Sequence, residues 1–128
     1  MERKAFPNGQ LYAMRNSLEE LLGLDVAARV GIRLARLVKR LGEEVNAIEQ
    51  ARLALVNKYG ESGEAGVVTV QPTSAKWGEF AKEFGELMAD THEVEYEPVI
   101  LPPDVKASPK LFAIFEDFLG VEEESKSG

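Results

Sequence analysis

Four arginines stand at Arg29, Arg33, Arg36 and Arg40, spaced four, three and four residues apart. On a helix that spacing puts all four on one face. Guanidinium forks in a row are well shaped for carboxylates and phosphates, so the row can take an acidic protein surface, or the phosphates of a nucleotide or nucleic acid. Without a negative partner the four cations repel one another. A second row could supply that partner from within: Glu79, Glu83, Glu86 and Asp90 repeat the four-three-four spacing. The two rows are able to pair along their length, inside one chain or across an interface between copies.

Other chemistry is thinly represented. The only histidine is His92, which rules out a paired-histidine zinc helix and leaves none to spare for a Ser-His-Asp triad. Alternation along a strand sets His92 on the opposite side from Glu93 and Glu95, so the three do not chelate a metal. The glycines of residues 60–66 lack the Gly-Lys-Ser/Thr ending of a phosphate loop. Carboxylates are abundant, yet no pair is marked by its neighbours as buried, and a general acid needs burial to shift its pKa. Trp77 and the phenylalanines recur at helical spacing, which assigns them to the core rather than to a base-stacking platform. The reading is therefore of a non-enzymatic protein with no catalytic residue, metal or cofactor.

Composition sets the frame. At 128 residues, 45 % hydrophobic, the chain is expected to form one domain over 1–120, followed by a disordered tail at 121–128. No apolar run is long enough to span a bilayer, the first residues lead into no secretory signal, and cysteine is absent, all of which fits a cytoplasmic protein. Net charge is −7, unevenly divided: residues 1–60 carry ten Lys/Arg and seven Asp/Glu, whereas residues 61–128 carry five and fifteen. An acidic chain of this kind repels nucleic acid at long range, so general duplex binding is not expected.

The element that must present the arginines is a proline-free stretch from Asp25 to Tyr59. Val26, Val30, Leu34, Leu37, Leu41, Val45, Ile48, Leu55 and Tyr59 fall at helical intervals and predict one long helix with a core-facing stripe. Asp25 suits its N-cap; Lys58 and then Gly60 suit its end. At about 1.5 Å per residue the helix measures roughly 50 Å, long enough to project or to lie along a partner. The arginines sit roughly 110° from the apolar stripe, and a row of small side chains, Gly31, Ala35, Val38 and Gly42, lies about 90° to the other side. Two interior glycines each cost a helix about 1 kcal/mol, a cost that close packing by a second helix, such as one from another copy, would offset; the alternatives are that the first helix folds back onto the row or that the glycines are merely tolerated.

Around it, Leu11, Met14, Leu18 and Leu21 predict a short first helix, and residues 66–70 a short strand after a mobile loop at 60–66. Pro72-Thr73-Ser74 is expected to cap a third helix with Trp77, Phe80, Phe84, Leu87 and Met88 on its apolar face. His92–Glu97 alternates as a half-exposed strand, expected beside residues 67–70. Ser108-Pro109 opens a last helix with Phe112, Phe115, Phe118 and Leu119 as its apolar side. The fold class is mainly α with a small β element: a short N-terminal helix, a long central one, two short strands flanking a third helix, and a C-terminal helix.

Lys58-Tyr59-Gly60-Glu61, then Trp77-Gly78-Glu79-Phe80 with Glu83-Phe84-Gly85-Glu86-Leu87, then Glu93-Val94-Glu95-Tyr96-Glu97-Pro98 together resemble a pattern in small, mostly uncharacterised phage and prophage proteins. In these a long charged helix ends in a similar Lys-Tyr-Gly-Glu, and a later helix leads into an acidic strand. The likeness covers about residues 25–100 and brings no catalytic residues. It implies a phage-encoded accessory protein that works by binding, either itself in assembly or a host or virion protein. The competing expectation is an inhibitor or sponge that captures a phosphorylated small ligand on Arg29, Arg33, Arg36 and Arg40.

Overall fold

The computed structural model describes residues 1–62 and 68–122. In chain order the elements are β1 (Glu2–Pro7), α1 (Asn8–Ala13), α2 (Leu18–Leu22), α3 (Ala28–Tyr59), β2 (Glu61–Ser62), β3 (Val68–Thr69), α4 (Trp77–Ala89), β4 (Thr91–Tyr96), β5 (Val99–Leu101), α5 (Pro109–Ile114) and β6 (Leu119–Val121). The chain is mainly helical around one long helix, with a few short strands. Among the described residues no helix is long and apolar enough to cross a membrane. Residues 63–67, which hold the rest of the expected loop and the start of the expected strand, and residues 123–128, the end of the expected tail, lie outside the described residues. Val121 belongs to β6 rather than to a disordered tail.

Helix α3 supplies the axis. Val30, Leu34, Leu37, Leu41 and Ile48 are buried along one side, each burial favouring the fold by about 1.5–3 kcal/mol. The helix starts at Ala28, later than the sequence predicts, and Asp25 does not cap it: Ala27 holds the N-cap position with no side-chain hydrogen bond. Leu24 and Val26 both pack against the core, and residues two apart share a side only when the backbone is extended. Packing of that pair outweighs the cap. At the other end Lys58 lies in the last turn, as read, and Gly60 closes the helix in an extended conformation.

The predicted first helix is two short ones, joined by a turn in which the Met14 and Ser17 amides donate to Leu11 and Met14 carbonyls. Leu11, Met14 and Leu21 are buried on either side of that turn. Asn8 ties α1 to α4: its amide and side chain donate to the carbonyls of Asp90 (2.8 Å) and Leu87 (2.9 Å), satisfying orphan acceptors at the α4 C-terminus.

The strand pairing differs from expectation. β4 does not lie beside residues 67–70; it pairs antiparallel with β1, Glu2 opposite Tyr96 through Pro7 opposite Thr91. β3 instead pairs antiparallel with β2, Glu61 opposite Thr69 and Ser62 opposite Val68. Glu2–Pro7 contains no β-branched residue, which hid it from propensity. Its register comes from cross-strand partners: Arg3 reaches Glu93 and Glu95, each at 3.2 Å, on the outer face. On the inner face Phe6 stacks on Phe118 (5.0 Å), and Tyr96 meets Phe118 edge-on (4.6 Å). The parallel pair β5–β6 closes this end, with Val99 opposite Leu119. Ser108 caps α5 by accepting from the Leu111 amide, with Pro109 following it.

Beyond Ile48 the packing thins. Leu55 and Tyr59 are only half-buried, as Val45 already is one turn before Ile48, and α4 has no fully buried residue. Its apolar face forms an aromatic ladder at the far end of α3, with Phe80 5.6 Å from Trp77, 5.9 Å from Phe84 and 6.4 Å from Tyr59. Pro72-Thr73-Ser74 does not cap α4; Lys76 precedes it without a side-chain cap, and Ser74 Oγ accepts from the Lys76 amide in the preceding turn.

Candidate interaction face

The four arginines share one side of α3, as their spacing requires. Arg29, Arg33 and Arg36 are exposed and form no ion pair among the described residues. Arg40 differs: its Nη1 lies 2.5 Å from Glu44 Oε1, one turn on. The other carboxylate oxygen of Glu44 lies 3.2 Å from His92 Nε2, a contact that ties α3 to β4. Arg33, Arg36 and Arg40 also line a small pocket floored by Leu37 and Tyr96, with Glu95 and Glu97 among its walls. The guanidiniums therefore have carboxylates near them already, but from the strand and not from the acidic row.

That acidic row, Glu79, Glu83, Glu86 and Asp90, does not meet the arginines within the chain. α4 runs back along the C-terminal half of α3, as Lys58 to Glu83 (3.3 Å) at one end and Glu44 to His92 (3.2 Å) just past the other show. The arginines occupy the N-terminal half. Of the row, only Glu83 forms an ion pair among the described residues, and the hydroxyl of Tyr59, followed by Lys58, holds its carboxyl below the usual range.

Past Glu44 the arginine face continues as Ala47, Ala51 and Ala54. These small side chains floor a groove between α3 and α4, walled by Glu83, Glu86 and Asp90 with Leu87 between them. One face of one helix is thus cationic and projecting over its first half, then recessed and acid-walled over its second. Sequence reading missed the alanines, although they continue the same interval: 40, 44, 47, 51, 54.

The small row is less used than expected. A β-carbon at Gly42 would meet nothing within 4 Å, and one at Gly31 only Val26 Cγ2 at 3.9 Å. Ala35 is exposed, and Val38 sits half-buried at the core margin. No helix of the described chain closes on the glycines.

A further polar cluster joins α1 to α3. Tyr12 donates its hydroxyl to Glu49, and Arg52 grips the same carboxylate through Nε and Nη2, the shortest contact being 2.6 Å. Arg52 first, then Tyr12, pulls the Glu49 carboxyl down to about 2, and the bond to Glu49 raises the Tyr12 hydroxyl. Arg15 lies over the Tyr12 ring at 4.1 Å. Nothing in the sequence pointed to this set, because Tyr12 and Glu49 are 37 residues apart.

Comparison with known protein families, curated proteins and solved structures returned no match.

Proposed function

We propose that this chain is a non-enzymatic accessory protein, of the phage type its sequence resembles, that acts by docking another protein onto the outward face of α3. The observation that carries this is the set of three exposed arginines that form no ion pair among the described residues, continuous along one helix with an acid-walled groove. Unpaired guanidiniums at helical spacing repel one another and gain most from a carboxylate-bearing surface. A cationic ridge beside a recess offers both charge and shape to such a surface, which is how charged patches set orientation and partner choice.

The sponge reading for a phosphorylated ligand is weaker. Glu95 and Glu97 share the pocket with Arg33 and Arg36, and a phosphate there would face two like charges.

The test is the double variant Arg33→Glu with Arg36→Glu. Both side chains are exposed, so far-UV circular dichroism and the melting temperature should stay close to wild type. Capture of the partner in a pull-down should be lost. Retained capture by a folded double variant would remove α3 as the docking surface.

A further inference from the structure

The arginine row and the acidic row match in spacing, yet the fold keeps them apart. Both run four-three-four, and each arginine number differs from its acidic counterpart by the same interval, Arg29 with Glu79 through Arg40 with Asp90. α4 lies antiparallel to the half of α3 that it covers, so within one chain the two rows also run in opposite directions. A second α3 laid antiparallel on the first would run parallel to α4, and the rows would then agree in both order and direction.

The groove fits the same arrangement. If a two-fold axis passes between Glu43 and Glu44, Arg33 of one copy stands opposite Ala54 of the other, Arg36 opposite Ala51, and Arg40 opposite Ala47. A long guanidinium stem meets a small side chain at each of these positions. The carboxylates of Glu83, Glu86 and Asp90 wall that side of the groove, within the reach such stems provide. Near the axis, the charge of Glu44 is already matched by Arg40. Because the arrangement is two-fold, the contact occurs twice, once at each end of the paired helices.

We infer that the occupant of the α3–α4 groove is a second copy of this chain, docked antiparallel so that Arg33, Arg36 and Arg40 of each copy pair with Glu83, Glu86 and Asp90 of the other. This rests on the reading of α3 as a protein-binding face, and it names the partner.

Charge reversal on each side tests it. The full chain should sediment at twice the monomer mass and dissociate as salt is raised. Arg33→Glu with Arg36→Glu, and separately Glu83→Lys with Glu86→Lys, should each weaken self-association by at least about 100-fold, since each puts like charges together at both ends. Mixing the two variants should restore a heterodimer, because every contact in the mixed pair is again between opposite charges. A mixture that stays monomeric while both variants keep the wild-type circular dichroism spectrum overturns the pairing. A wild-type chain that remains monomeric at high concentration and low salt also overturns it. That second result leaves the docking proposal standing if the arginine variant still loses a different partner in the pull-down. Loss of neither self-association nor capture in that variant sinks both.

Discussion

A β-carbon on Gly60 would overlap the Val56 carbonyl oxygen and stand 2.6 Å from Val68 Cγ1 and 3.0 Å from Thr69 O. Two of these three atoms are backbone and cannot swing away. Gly60→Ala should therefore destabilise the fold by about 1–3 kcal/mol, the usual cost of overpacking, as read from urea denaturation. Gly42 is the opposite case, with nothing within 4 Å of the added carbon. Gly42→Ala should stabilise the isolated chain by about 1 kcal/mol through helix propensity alone. A loss of stability there would mean that a neighbour closes on the small row after all. Glu49 gives a pH-dependent test. Its carboxyl sits near 2, below the ordinary 4.5, because the Arg52 and Tyr12 bonds favour the charged form. The stability it adds is fully present above about pH 4.5 and is lost as pH falls through about 2. Wild type should thus melt higher than Glu49→Gln at neutral pH, with the gap closing between pH 4.5 and 2; a gap independent of pH would remove the pairing as its cause.

At the scale of elements, α3 begins weakly. No side chain caps it, its first turn holds no acid, and Arg29 lies in that turn, where a cation opposes the helix dipole. Ala27 is exposed and its backbone is already extended, the conformation a capping residue needs. Ala27→Asp should then stabilise the protein by about 1 kcal/mol, visible as a melting point a few degrees higher. An unchanged melting point would mean that the first-turn amides are already satisfied. The same end shows why boundaries were harder to read than elements. The period of Val30, Leu34, Leu37 and Leu41 announces a helix whatever packs on it. Its first residue depends on where Leu24 and Val26 find the core, which is a tertiary matter. The pairing of β1 with β4 was likewise hidden, since Glu2–Pro7 becomes a strand through Arg3, Phe6 and the partners facing them. The arginine and acidic rows were legible as rows. Which half of α3 each would face was not, because the direction of α4 is a tertiary matter, seen in the contacts of Lys58 with Glu83 and of Phe80 with Tyr59.

Burial divides the whole molecule along its longest helix. From Val30 to Ile48, α3 is packed by α1, α2 and the strands, whereas from Glu49 onward none of its residues is fully buried and its neighbours are α4 with its aromatic ladder, β3 and the Tyr12 hydroxyl. Phe118 is fully buried against Phe6 and Tyr96, so Phe118→Ala should cost about 3–5 kcal/mol. Phe84→Ala, on a half-exposed face, should cost clearly less. Local opening follows the same gradient, since segments with few buried contacts open without global unfolding. Amide exchange should accordingly be slowest between Val30 and Ile48 and faster from Ala51 to Lys58 and along α4. The half that opens easily is also the half that holds the groove, so a docked partner there adds protection where the monomer has least. Measured at low and at high protein concentration, exchange should slow with concentration on both Ala51–Lys58 and Arg29–Arg36, the two surfaces that antiparallel pairing covers together. Slowing at one of them without the other would point to a contact that is not two-fold, and equal protection along all of α3 in the dilute chain would remove the gradient itself.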